Sequence, residues 1–209
     1  MDALECLFTR RTAARLVAPE PTPDQFATIL RAATTAPDHK WIRPWRFVVV
    51  RGEHRHQLAA AIRRAGEANS ALPAALIEKQ AGKATRSPSM IVIVASRVVG
   101  SKISRAEQDA SAAAAAQNIC LAAHALGLGT GWKTVPFSDS DEVRAALGLT
   151  GSEDLLGWVE LGAVPVEHAP KPRPPVELSD VVTELVGGSL VSFRESAPVD
   201  QAEPEPRSA

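Results

Sequence analysis

The run SRAEQDASAAAAAQNICLAAHAL, residues 104–126, decides the fold. It reads as one helix, and at ~1.5 Å per residue it spans roughly 30 Å, about the width of a small domain. Its middle is apolar on nearly every side, which a helix facing solvent would not tolerate. Gln117, Asn118 and His124 interrupt it and most other positions are alanine, so it is a poor membrane span. The reading is a central core helix. Small alanines let other backbones approach closely, so part of it also suits an interface between two copies.

The neighbouring segments supply what such a helix packs against. Gly127-Leu128-Gly129 ends it, and Thr130 to Thr134 reads as a short strand or turn. Upstream, MIVIVA at Met90 to Ala95 is unrelieved apolar and β-branched, as expected of a strand buried on both faces. Phe47–Val50 and Leu155–Val164 read as further strands. Thr22 with Pro23 opens a helix whose apolar face is Phe26, Ile29, Leu30 and Ala33. Another helix starts at Asp2, with Glu5 as its capping-box partner, and ends at Thr9-Arg10-Arg11-Thr12. Helical pieces are also expected near Glu53–Ala68, Leu72–Lys83, Asp141–Leu147 and Leu178–Leu185. Helices outnumber strands around one long helix, so the fold class is α+β, an antiparallel or mixed sheet flanked by helices. Residues 1–187 are expected to form one domain and 188–209 a disordered tail. Its end, Ala197 to Ala209, carries too little apolar surface to offset ordering entropy.

Composition bounds the function. The chain has 209 residues, with 23 Lys and Arg against 24 Asp and Glu, a net charge of -1. A nucleic-acid binder usually needs a clear basic excess to release counterions. Cys6 and Cys120 form neither a CxxC pair nor a disulfide framework, which fits a reducing cytoplasm. The acidic N-terminus MDALECLFTRR does not read as a signal peptide.

Several chemistries are excluded by pattern. Gly127, Gly129 and Gly131 follow a helix, whereas a dinucleotide-binding loop follows a strand. No GxSxG elbow, Walker loop or HExxH occurs. His54 and His56 lie two apart on a helix and point to different faces, so no metal site is expected. What remains is basic and polar. Arg10, Arg11 and Thr12 leave the first helix together and suit a phosphate monoester, because guanidinium offers paired planar donors. The same residues equally suit a helix C-terminus, where positive charge is favoured. Lys133 after the glycine turn is a second candidate with the same two readings.

The order of these fragments resembles the FMN-dependent nitroreductases, closest to the YdjA-type subgroup. The matching segments are MDALE, RRTAARL, APDHK through Arg43-Pro44-Trp45-Arg46-Phe47, Gln117-Asn118, AHALGLGTGW, and WVELG at Trp158 to Gly162. Each is weak alone; their order is specific, over roughly residues 1–187.

The resemblance implies an α+β homodimer with FMN at the subunit interface and NAD(P)H as reductant. Arg10, Arg11 and Thr12 would hold the phosphate and ribityl end. Thr35 and His39 would contact the cofactor from one subunit, and Trp132, Lys133 and Thr134 from its partner. Ala123 to Leu128 would lie near a nicotinamide site. The protein would then reduce nitroaromatics, quinones or related electrophiles by a ping-pong cycle, with the chemistry carried by FMN. Trp41 and Arg43 stand where the family's Asn and Gln usually help hold the flavin ring. Two alternatives stay open: a flavin-sequestering protein with little turnover, and another flavin reductase or dehydrogenase of the superfamily. Lys171 and Arg173 resemble a basic phosphate-binding pair but equally suit an exposed linker.

Overall fold

A computed structural model describes residues 1–194. The described residues divide into two compact units, one over Met1–Lys171 and the other beginning at Pro172.

In the first unit α1 (Ala3–Thr9), α2 (Pro23–Ala33) and β1 (Trp45–Arg51) are followed by α3 (His54–Glu67), α4 (Ala74–Ala81) and β2 (Ser89–Ser96). Then come α5 (Arg105–Ala125), β3 (Gly129–Lys133), α6 (Asp141–Ala146) and β4 (Glu153–Gly162). The four strands form one antiparallel sheet in the order β1-β2-β4-β3. The expected α+β class with a central antiparallel sheet is what the chain adopts.

Strand β2 explains the layering. Side chains alternate across a sheet, and both faces of β2 meet helices. Met90, Val92 and Val94 pack with Leu58, Ile62, Val143 and Trp158, drawn from α3, α6 and β4. Ile91 and Ile93 pack with Phe26, Ile29, Ala115, Ile119 and Ala123, drawn from α2 and α5. The sheet is therefore a middle layer, which is why MIVIVA shows no polar alternation.

Local chemistry sets the helix ends. Thr22 and Gln25 close a reciprocal capping box at α2, with Pro23 in its first turn. At α5 Ser104 and Glu107 do the same. The helix ends in a Schellman turn: the Leu128 N–H donates to Ala123 O at 2.9 Å, while Gly127 takes φ 77°. Only one stripe of α5 is fully enclosed, formed by Gln108, Ser111, Ala112, Ala115, Ala116, Ile119, Cys120 and Ala123. The all-round burial expected from its alanines is thus confined to one side. Alanine on both faces conceals that stripe from a hydrophobicity pattern.

In the second unit the helix expected over 178–185 stops early. α7 covers Leu178–Val181, and β5 (Thr183–Val186) pairs with β6 (Ser189–Ser192) around Gly187 and Gly188. Both glycines have positive φ, which a two-residue hairpin turn requires. Regular structure therefore reaches into the segment expected to be a disordered tail from 188. The rest of that expectation, residues 195–209, lies outside the described residues.

Candidate functional site

The first group of candidate residues is fixed by the start of the chain. Asp2 Oδ1 caps α1 by accepting the Glu5 N–H at 2.9 Å. At its other end Arg11 folds back: Nη1 donates to Phe8 O at 2.5 Å and to Arg10 O at 2.9 Å. Arg11 thus serves as a helix-end cap, and its buried Nε has no hydrogen-bond partner among the described residues. The chain then runs extended along the sheet. Thr12 forms a parallel bridge with Thr130, and the Ala13 N–H donates to Thr130 O at 2.8 Å. Arg10, Arg11 and Thr12 are therefore held beside the strand that carries Trp132 and Lys133. Room for this crossing comes from Gly129, where a Cβ would collide with Val164 and come within 2.5 Å of Leu16 Cδ2.

Charge accumulates there. His124, in the last turn of α5, contacts Thr9 Oγ1 at 2.8 Å. Burial first, then the charges of Arg10 and Arg11, hold its imidazole below its usual value. Burial pushes the neighbouring Cys120 thiol up, against the opposing pull of Arg10.

The second group lies along α5. Asn118 Nδ2 donates to Ala32 O at 3.2 Å and to Thr35 Oγ1 at 3.3 Å. Further back, Ser111 donates to Pro37 O, and His39 Nδ1 is 3.5 Å from Glu107 Oε1. Glu107 is held below the usual carboxylate range, chiefly by its Ser104 hydrogen bonds and then by His39. The loop that follows is strained. Lys40, Trp41 and Arg43 all take positive φ (59°, 58° and 47°), a region unfavourable to bulky side chains. The Arg43 N–H donates to Asp38 Oδ2 at 2.7 Å, which pins the turn. Trp41 is left 82% exposed, over a cavity of about 680 Å³ shared with Thr35, Arg43 and Trp45. From Glu107, beside His39, to His124, beside Arg10, roughly 25 Å of helix axis intervenes.

A third feature joins parts of the first. Lys133 and Thr134 open onto a cavity of about 360 Å³ lined also by Ala14, Arg15, Leu16, Lys83, Arg86, Trp158 and Glu160. Its four cations, Arg15, Lys83, Arg86 and Lys133, face one carboxyl, Glu160. Trp158 is fully buried, with its indole close to the Glu160 carboxyl. Glu160 is 8% exposed. Burial pushes its carboxyl up, while Lys133, Arg86 and the nearby Trp158 indole draw it down less strongly. Trp132 turns elsewhere: its indole donates to Leu156 O at 3.2 Å, at the bulge where Leu156 drops out of register with β2. A Cβ at Gly157 would strike Lys133 O and Trp132, so this close crossing needs glycine.

Sequence reading missed Arg15, Lys83, Arg86 and Glu160. One signal was present. A single acid inside the apolar run LLGWVELGAV must be buried, and a buried carboxyl calls for an explanation. The two lysine and arginine positions after α4 carry no such mark, because exposed basic residues are ordinary.

These features define a class: a layered α+β domain with a cationic, partly apolar small-molecule cavity at the edge of its sheet. The chain belongs to the nitroreductase family, whose sequence profile matches residues 7–163. It is 36% identical over 179 residues to YdjA of Escherichia coli K12, provisionally named an NAD(P)H nitroreductase; the match covers 83% of this chain and 97% of that protein. A nitroreductase-like protein from Bacillus cereus shares the fold with TM-score 0.75 and 24% identity, over 90% of this chain and 97% of that one. The FMN- and NADPH-dependent nitroreductase NfnB of Sphigopyxis sp. strain HMH has TM-score 0.72 at 20% identity, over 87% and 98%.

Proposed function

We propose that this protein is an FMN-dependent oxidoreductase that uses NAD(P)H to reduce nitroaromatics, quinones or related electrophiles. The observation that carries the reading is the cavity of Arg15, Lys83, Arg86 and Lys133. Four cations converge on one cavity that holds a single, largely buried carboxyl, so the site carries an excess of positive charge suited to an anionic ligand. FMN fits that donor set through its phosphate and its carbonyl-bearing ring edge. The nicotinamide dependence in the name of YdjA and the FMN dependence of NfnB support the same reading.

FMN, when bound, supplies the hydride chemistry. The chain's part is binding and electrostatics. Arg10, Arg11 and Thr12, close to the cavity through the Thr12–Thr130 bridge, would hold the phosphate end. Lys133 and Thr134, with Arg15, Lys83 and Arg86, would favour negative charge on the ring. His39, beside Glu107, sits too far along α5 to grip the same end of one ligand within one chain, and Thr35, held by Asn118, leads into the same loop. We therefore assign them to the flavin of the partner in a homodimer, built over the exposed Leu4, Leu7 and Phe8 of α1. Ala123 to Leu128 would border the nicotinamide. Unpaired, buried Cys6 and Cys120 support a cytoplasmic setting.

The visible spectrum of the purified protein, before and after anaerobic NAD(P)H, tests this. Oxidised-flavin bands that bleach are expected. Bands that persist would indicate flavin sequestration, and no flavin after incubation with FMN would end the proposal.

A further inference from the structure

Two buried glutamates on β4 behave in opposite ways. Glu153 is clasped by Arg46 and held down to about 2. Glu160, seven residues on, has no such clasp: the Trp158 indole, Lys133 and Arg86 act on it only weakly, although four cations line the same cavity. A structural counter-charge would be paired as Glu153 is. Instead the Glu160 carboxyl lies over Gly131, where a Cβ would be 3.4 Å from its Oε2 and 3.2 Å from Lys133 Cε. The strand register puts Gly131 directly opposite Glu160, so the missing side chain leaves the carboxyl room beside the cavity.

The charged groups around it come from every neighbouring element. Lys133 comes from β3, Lys83 and Arg86 from the turn after α4, and Arg15 from the extended N-terminal segment. Its partner on β2 is the uncharged Met90. Burial outweighs these cations in setting its proton affinity, and such a group in a cleft is suited to exchange a proton when the local charge changes.

We propose that Glu160 is the proton carrier of the site, taking up a proton when hydride transfer adds negative charge and giving it to the electrophile afterwards. This rests on the flavin reading above. The balance closes. Reduction of a nitro group, R–NO2 + H⁻ + H⁺ → R–NO + H2O, needs one proton beyond the hydride, and a quinone needs the same one. NAD(P)H supplies the hydride. The Glu160 carboxyl loses its proton to the oxygen of the acceptor, then regains one from solvent when the next hydride arrives.

The test is the midpoint potential of bound FMN against pH, by spectroelectrochemistry, in the wild type, E160Q and E160D. Each proton coupled to a two-electron step adds about 30 mV per pH unit, the tenfold change per unit converted at two electrons. The wild type should exceed the E160Q slope by up to that amount above the ordinary carboxylate range, with E160D restoring part of it. Equal slopes in wild type and E160Q, with flavin bound to both, would overturn the inference alone. Loss of flavin from E160Q but not from E160D, with E160D as shallow as a single-proton couple, would make Glu160 a flavin-holding residue and also overturn it. Absence of bound flavin from the wild type would mean that the functional reading itself had failed.

Discussion

Replacing Glu153 with Gln should cost the protein 2–3 kcal/mol of stability near neutral pH (about that from linkage), and the cost should fade in acid. Glu153 opens β4 with its side chain only 5% exposed. Arg46, on β1, reaches across β2 to it: Nε and Nη2 donate to its two oxygens at 2.9 and 2.8 Å, and the Thr150 N–H adds a third bond at 3.0 Å. The Arg46 hydrogen bonds outweigh burial and hold the carboxyl at about 2, against an ordinary 4.5. At about 1.4 kcal/mol per pH unit, that depression is about 3 kcal/mol. The folded-state value lies below the unfolded one, so this stability is fully present above pH 4.5 and is lost as pH falls toward 2. Arg46 is about one third exposed and can hydrate when its partner is gone, which places the loss at or below that figure. Urea unfolding of wild type and E153Q between about pH 7 and pH 3 reads the difference directly. The gap should narrow steadily below pH 4.5. A gap that is the same at both ends, or below ~0.5 kcal/mol at neutral pH, would refute the reasoning.

Three further substitutions probe other parts of the molecule. Ile119→Ala opens a void where α5 meets α2 and the sheet, and should lower unfolding free energy by about 2–5 kcal/mol; a smaller loss would mean that α5 packs more loosely than its full burial implies. Trp41→Gly removes a left-handed strain of about 1 kcal/mol at an exposed position, so the melting temperature should hold or rise, and a clear fall would show that the indole is packed. Arg10→Ala should weaken FMN binding about tenfold or more, the scale of one charged hydrogen bond, as read by flavin fluorescence; unchanged retention of FMN would remove Arg10 from the site.

Local and near-neighbour physics was legible in the chain itself. The capping residues Asp2 and Thr22, the first-turn Pro23 and the Gly127 stop mark helix ends, because each satisfies backbone groups within a few residues. The unbroken MIVIVA marked a strand covered on both faces, because only a middle layer needs both sides apolar. Ordered motifs gave the family and a first set of candidate residues. What the tertiary structure decided was proximity. The bridge from Thr12 to Thr130 brings Arg10 and Arg11 to the strand bearing Lys133, while α5 holds His39 far from them. Only the packing of the N-terminal segment and the turn after α4 against the sheet puts Arg15, Lys83, Arg86 and Glu160 around one cavity. The two glutamates of β4 show the reason most plainly. In sequence both are acids on one strand, and their different proton affinities come from which cations the fold lets each carboxyl reach.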